Sequence, residues 1–153
     1  MNAPVVNTLL IGIGNDFRGD DAAGLLVARG LVAKGIPGLT ILESDGEALS
    51  LLESWQDAGR LILVDATESA EDPGAILRFD AGAEALPSQP FLCSTHAFNL
   101  AESIELARSL GRLPPEVIVY GIQGKNFGMG AGITPVVLEA VNAVVETIQT
   151  ELQ

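Results

Sequence analysis

Short hydrophobic runs alternate along this chain with longer segments in which apolar residues recur every three or four positions. The short runs, rich in leucine and β-branched residues, predict five strands, Thr8–Ile13, Leu39–Glu43, Arg60–Asp65, Ala75–Phe79 and Glu116–Gly121. The longer segments predict four helices, Asp21–Ala33, Glu47–Trp55, Ala97–Leu110 and Pro135–Leu152. Alternating strands and helices are typical of a mostly parallel, twisted sheet with helices on both faces. We therefore predict an α/β fold, a three-layer sandwich formed by a single domain over residues 1–153.

The last predicted helix has the clearest sequence signals. Thr134 is expected to cap it, Pro135 suits its first turn, and its apolar residues form one continuous stripe. In contrast, residues 80–95 and 123–133 lack periodicity, and we expect both to be mobile surface loops. The second contains four glycines. It is either a flexible connection or a lid that closes over a substrate.

Composition narrows the classes of partner. The chain has 153 residues, 48% of them hydrophobic, which is enough for a substantial core that includes Trp55 and Tyr120. The net charge of −12 repels phosphate backbones and anionic lipids, so we expect neither nucleic acid nor a membrane as a partner. No apolar run reaches the length of a membrane span, and residues 1–4 begin no signal peptide. The single cysteine, Cys93, excludes an internal disulfide. We expect a cytoplasmic protein.

The turn after the first strand resembles a nucleotide-binding loop but carries the wrong charge. Gly12 and Gly14 fit the first two glycines of G-x-G-x-x-G, whereas the third position is Phe17. Three carboxylates stand where a phosphate would approach, those of Asp16, Asp20 and Asp21. The pattern indicates a turn that presents carboxylates outward. A nucleotide-binding oxidoreductase is the alternative, and an unchanged nicotinamide or flavin fluorescence on mixing would exclude it.

Three side chains are predicted to meet at one edge of the sheet. Asp21 follows the first strand, Asp65 ends the third, and His96 stands before a predicted helix. The carboxyl ends of parallel strands converge at one edge, so these residues are expected to lie close together. Two carboxylates and an imidazole form an incomplete ligand set that suits a borderline divalent metal such as nickel or zinc, with open positions for substrate or water.

Each candidate also has an ordinary structural interpretation. His96, the only histidine, could cap a helix, and Asp65 could accept hydrogen bonds from backbone amides. Asp20 is better explained as a helix-capping residue, and Asp45, before a glycine, as a turn residue. Cys93 could be a thiol nucleophile, but a free cysteine is usually a small buried hydrophobe.

The order and spacing of the motifs closely resemble the nickel-iron hydrogenase maturation endopeptidases. The resemblance covers nearly the whole chain and rests on these segments: Gly12-Ile13-Gly14-Asn15, Gly19-Asp20-Asp21, Gly24, Asp45-Gly46, Val64-Asp65-Ala66, Ser94-Thr95-His96 and Gly132-Ile133-Thr134-Pro135. The stretch from His96 through Leu113-Pro114-Pro115 and Tyr120-Gly121-Ile122 resembles one branch of that family. Glu47 and Ala48 depart from it, because the family often has glycine and threonine there. This departure indicates a different client hydrogenase.

The resemblance implies an aspartic-type endopeptidase, and we expect the protein to be a monomer. Its substrate would be a nickel-iron hydrogenase large-subunit precursor, from which it removes a C-terminal extension once nickel has been inserted. The catalytic and metal-contacting residues of the family correspond to Asp21, Asp65 and His96. The resemblance favours nickel supplied by the substrate as the metal, and zinc or cadmium could occupy the site in vitro.

Two mechanisms are consistent with these residues. In one, a permanently bound metal polarises the scissile carbonyl or activates water. In the other, which the resemblance favours, the three residues bind nickel already seated in the substrate and so bring the peptide bond into register. Water is the expected nucleophile in both, because no separate serine, histidine and acid set is evident. A non-catalytic nickel carrier or chaperone would use the same three ligands and remains the alternative function.

Overall fold

The elements of the computed structural model, which describes residues 7–69, 71–87 and 99–153, follow the predicted alternation. The strands are β1 (Thr8–Ile13), β2 (Leu39–Ser44), β3 (Arg60–Thr67), β4 (Ile76–Asp80) and β5 (Glu116–Gln123). The helices are α1 (Ala23–Lys34), α2 (Ala48–Trp55), α3 (Leu100–Ser109) and α4 (Pro135–Glu151), and a short 3-10 turn, Gly19–Ala22, precedes α1. In these three ranges, no helix combines the length and the apolar character needed to cross a bilayer.

The five strands form one sheet in the order β2-β1-β3-β5-β4. The first four of these are parallel to their neighbours, and β4 pairs with β5 in the antiparallel direction. The predicted α/β fold with a mostly parallel sheet is confirmed. The antiparallel edge follows from the connection between β3 and β4, which contains no crossover helix in its described residues.

Alternating side chains of the strands fill two separate cores, one on each face of the sheet. Leu10 of β1 packs with α1 and α4, whereas Leu9 and Ile11 pack with α2 and α3. The core between the sheet and helices α2 and α3 contains Trp55, which is fully buried as predicted. The alternation places helices on both faces and confirms the three-layer arrangement.

Tyr120 is buried as predicted, but its hydroxyl group belongs to a polar cluster. Arg78 donates to that oxygen through Nε at 3.2 Å, and the hydroxyl donates to Glu151 at 2.6 Å. These bonds join β4, β5 and the end of α4. The apolar pattern of β5 predicts the burial of the ring but not the partners of the hydroxyl.

Strands β3 and β5 extend two residues further than predicted. Their pairing continues from Asp65 and Gly121 to Thr67 and Gln123, where the threonine hydroxyl donates to the glutamine side chain at 3.2 Å. Asp65 therefore lies inside β3 rather than at its end. It still follows Val64, the last residue of β3 that pairs with β1.

Two predicted helix starts are wrong by two or three residues, and α2 begins at Ala48, one residue later than predicted. Residues 19–22 form the 3-10 turn, so α1 begins at Ala23 rather than at Asp21. Helix α3 begins at Leu100 rather than Ala97, because Asn99 has an extended backbone and accepts a hydrogen bond from the N–H of Glu102 at 2.9 Å. Residues 88–98, which include Cys93 and His96, lie outside the described residues.

Helix α1 packs directly on the backbone of the sheet at Gly24. A Cβ atom at this position would lie within 3.0 Å of the carbonyl oxygens of Ile13 and Val64, which is closer than real Cβ contacts. Gly12 faces the same contact from β1, where a Cβ would meet the backbone of Gly24. This close approach brings the start of α1 against the ends of both strands.

We expect Gly24→Ala to lower the free energy of unfolding by about 1–3 kcal/mol, because backbone atoms of two strands would have to move apart. Urea unfolding measures this change. Gly132→Ala is the matched control, since its new methyl group meets open space. Equal stability of the two variants would contradict the predicted close packing.

Candidate active site

A cavity of about 410 Å³ opens at the carboxyl ends of β1 and β3. The turn between β1 and α1 forms one wall, and Asp45 and Gly46, which follow β2, form another. Asp65, Leu100, Leu25 and Leu51 also line the cavity. Asp45 is a turn residue, as predicted, because its side chain accepts a hydrogen bond from the N–H of Glu47 at 3.0 Å.

Two of the three predicted site residues face this cavity. Asp21 comes from the 3-10 turn, and Asp65 comes from β3 just beyond the pairing with β1. Each residue is only 7% exposed. His96 lies outside the described residues. The described part of the site is therefore a buried pair of carboxyl groups at the sheet edge where they were predicted to meet.

The two carboxyl groups influence each other electrostatically. Burial raises the pKa of Asp65 well above its usual range, and the negative charge of Asp21 raises it further. A hydrogen bond from the backbone N–H of Ala66 opposes both effects. The guanidinium of Arg18 lies 3.8 Å from the carboxylate of Asp21. Like charges in a poorly solvated pocket favour a proton or a metal cation between them.

Residues 7–69, 71–87 and 99–153 do not supply a complete set of metal ligands. No group of three histidine, cysteine, aspartate or glutamate side chains in those ranges could hold a metal ion. Asp21 and Asp65 offer carboxylate oxygens, and both face the cavity. These oxygen donors suit a divalent cation that takes its remaining ligands from elsewhere.

Asp20, the neighbour of Asp21, has a structural role. It is fully buried, and its carboxylate accepts hydrogen bonds from the N–H groups of Lys125, Asn126 and Thr134 at 2.8, 2.9 and 2.7 Å. The Thr134 hydroxyl donates a fourth at 2.7 Å. Burial alone would raise the pKa of Asp20, but these hydrogen bonds outweigh it and lower the pKa.

Two capping predictions are corrected by these contacts. Asp20 was expected to cap its own helix, yet neither the 3-10 turn nor α1 has a side-chain cap. Thr134 occupies the N-cap position of α4, but its hydroxyl donates to Asp20 instead of capping the helix. The carboxylate thus joins the turn that carries Asp21 to the loop before α4.

The glycine-rich loop at 123–133 is hydrogen-bonded to the turn between β1 and α1. Besides its bonds to Asp20, its Gly130 N–H donates to the carbonyl of Phe17 at 2.8 Å. The loop is described throughout, and none of its residues lines the cavity. Its contacts therefore match a connection that holds the turn, rather than a lid.

Only one of the three turn carboxylates points outward as predicted. Asp16 is exposed and forms two hydrogen bonds of 2.9 Å with Arg29 of α1, which also binds Glu43. Asp20 and Asp21 are buried, so the expectation of three outward carboxylates is wrong for them. The role of Arg29 was not predicted from the sequence. Its second partner, Glu43, comes close to Asp16 only through the parallel pairing of β1 with β2.

Glu47, a departure from the resembled family, caps α2. Its carboxylate accepts hydrogen bonds from the N–H groups of Leu49 and Ser50 at 3.0 and 2.9 Å. The side chain therefore has a local structural role beside the cavity.

Comparison with known proteins assigns the family. A family model described as hydrogenase maturation protease matches residues 31–151. The hydrogenase 3 maturation protease of Escherichia coli K12 is 32% identical over 148 residues, which cover 92% of this chain and 88% of that protein. The chain belongs to the hydrogenase maturation protease family. It is a peptidase, and the resemblance found in the sequence is confirmed.

Solved structures of maturation endopeptidases share the fold. The solution structure of the endopeptidase HycI from Escherichia coli superposes with a TM-score of 0.72 at 26% identity, covering 94% of this chain and 90% of that one. The hydrogenase maturating endopeptidase HybD from Escherichia coli gives a TM-score of 0.77 at 20% identity, with coverage of 95% and 91%. The second likeness shows the fold alone.

We expect Asp20→Asn to lower the free energy of unfolding of this maturation protease by at least ~2 kcal/mol at neutral pH, because buried donors lose a charged acceptor. The lowered pKa means that the contribution is complete above about pH 4 and is lost as the pH falls through the folded-state pKa. The difference from the wild type should therefore shrink in acid.

Urea unfolding at several pH values measures this difference. Asp16→Asn is the control, since an exposed ion pair contributes about 0–1 kcal/mol. An Asp20→Asn variant as stable as that control would contradict the structural role.

Asp65→Asn is expected to stabilise the fold at neutral pH. Because the pKa of Asp65 is raised in the folded state, its ionisation makes the folded protein less stable as the pH rises through and above the usual aspartate range. The amide carries no such charge. Thermal unfolding should give a higher Tm than the wild type at pH 7 and little difference below about pH 4. The exposed Asp57→Asn serves as the control; a lower Tm for Asp65→Asn alone would refute the prediction.

Proposed function

We propose that this maturation protease removes the C-terminal extension of a nickel-iron hydrogenase large-subunit precursor after nickel insertion. The observation that carries the proposal is the buried pair of Asp21 and Asp65 in one cavity at the carboxyl edge of the sheet. The relative from Escherichia coli is named a hydrogenase 3 maturation protease, which supports a hydrogenase protein as the substrate.

Nickel belongs to the substrate in this proposal. The carboxylate oxygens of Asp21 and Asp65 bind the nickel together with the imidazole of His96. A divalent cation offsets the repulsion between two carboxylates in a poorly solvated cavity, so the donor set suits such an ion. Zinc or cadmium can take the same donors in vitro. Nickel then marks a correctly loaded precursor and fixes the position of its tail.

The cleavage is a hydrolysis with water as the nucleophile. Water adds to the scissile carbonyl carbon, the carbon–nitrogen bond breaks, and the leaving amine takes a proton. The protein contributes by orienting the nickel-bearing segment so that the scissile bond lies in the cavity. The chain has a single histidine, which this proposal assigns to nickel, and so no histidine is left for a serine-type triad.

We further propose that the enzyme acts in the cytoplasm as a monomer, on a protein substrate alone. The net charge of −12 supports the exclusion of nucleic acid and of anionic membranes. It favours a substrate surface that is locally basic.

Intact mass spectrometry of nickel-loaded and nickel-free precursor tests the proposal. The wild-type enzyme should remove a C-terminal peptide from the nickel-loaded form only. Asp65→Asn and His96→Ala should lower the rate at least about a hundredfold, because both lose a group that positions the substrate. Asp57→Asn, an exposed aspartate away from the cavity, should cleave at the wild-type rate.

Two outcomes would contradict the proposal. Equal cleavage of nickel-free and nickel-loaded precursor would show that the enzyme does not recognise its substrate through nickel. A verified nickel-loaded precursor that keeps its mass while nickel passes to this protein would favour the carrier alternative.

A further inference from the structure

The two most exposed large apolar side chains in the described ranges lie on adjacent segments. Met129 is 74% exposed and Phe17 is 71% exposed. The N–H of Gly130 donates to the carbonyl of Phe17 at 2.8 Å, which joins the two segments. We refer to these two residues as the Phe17–Met129 surface. Isolated exposed apolar residues are common, but apolar side chains brought together on adjoining segments are typical of sites that contact other molecules.

Hydrogen bonds hold the backbone beneath this surface. The N–H of Phe17 donates to the Asn15 side chain at 2.8 Å, and the N–H of Gly128 donates to the Asn126 side chain at 2.9 Å. Asp20 joins the two segments through its bonds to the N–H groups of Asn126 and Thr134. The exposed side chains are therefore carried by a preformed backbone, which lowers the cost of ordering on binding.

The surface is continuous with the candidate active site. Phe17 lines the same cavity as Asp21 and Asp65. A substrate segment bound in this cavity can therefore contact Phe17, whose neighbour across the Gly130 hydrogen bond is Met129. Aromatic residues and methionine are enriched in protein interfaces, because they bury large apolar areas and methionine adapts its shape.

We propose that the Phe17–Met129 surface binds an apolar segment of the substrate protein beside its scissile bond. The inference rests on the proposed function and names the part of the enzyme that recognises protein rather than metal. An anionic lipid surface is disfavoured, because the chain carries a net charge of −12. A second copy of this chain is the competing occupant.

Apolar contacts to a segment that does not itself react stabilise the bound substrate and the transition state equally, so their loss raises KM and leaves kcat unchanged. Phe17→Ser and Met129→Ser should each raise KM for nickel-loaded precursor about tenfold, with kcat within about twofold of the wild type. Val32→Ser and Leu110→Ser are matched controls, because they remove exposed apolar side chains from α1 and from the end of α3. Both controls should keep the wild-type KM.

A binding measurement on nickel-free precursor separates this inference from the proposed function. The precursor is expected to stay uncleaved, and its Kd should rise about tenfold with Phe17→Ser or Met129→Ser but not with the controls. Surface-dependent binding without any cleavage of the nickel-loaded form would support the inference and contradict the proposed function. Cleavage with the same KM in all four variants would overturn the inference alone. It would also be overturned if sedimentation velocity showed a dimer that only Phe17→Ser and Met129→Ser dissociate, with unchanged KM.

Discussion

Two carboxyl groups that repel each other are kept together in a poorly solvated cavity, and the packing of this maturation protease around the start of α1 holds them there. Asp21 and Asp65 come from different elements, and neither is more than 7% exposed. Asp20 is also a buried carboxylate, but four hydrogen bonds stabilise its negative charge. The stabilised carboxylate of Asp20 holds the turn in place, whereas burial and the charge of Asp21 make ionisation of Asp65 unfavourable.

The backbone makes this arrangement possible. Gly12 and Gly24 let α1 approach β1 and β3 more closely than side chains would permit, so the turn that carries Asp21 lies over the end of β3. Asp20 then fixes the same turn to the loop before α4. The turn is held from two sides, which keeps Asp21 near Asp65 and also presents Phe17 at the mouth of the cavity.

Local pattern predicted the layers of the fold, because hydrophobic periodicity is visible in short segments of sequence. It also predicted that Asp21 and Asp65 lie at the same edge of the sheet, because the carboxyl ends of parallel strands converge there. It failed where the deciding contact is distant. Asp20 and Asp21 are adjacent acids that no periodicity distinguishes, and only partners more than a hundred residues away make Asp20 structural. The hydroxyl of Thr134 could not be assigned from the sequence for the same reason, since its partner is Asp20. The extension of β3 to Thr67 depends on pairing with β5.

Asp21 and Asp65 form one desolvated, electrostatically coupled pair. Carbon-13 NMR titration of the Asp65 carboxyl group, in the wild type and in Asp21→Asn, measures this coupling. We expect the pKa of Asp65 to lie well above the usual aspartate range and to fall when Asp21 loses its charge. An Asp65 that titrates in the usual range, and at the same pH in both proteins, would contradict it.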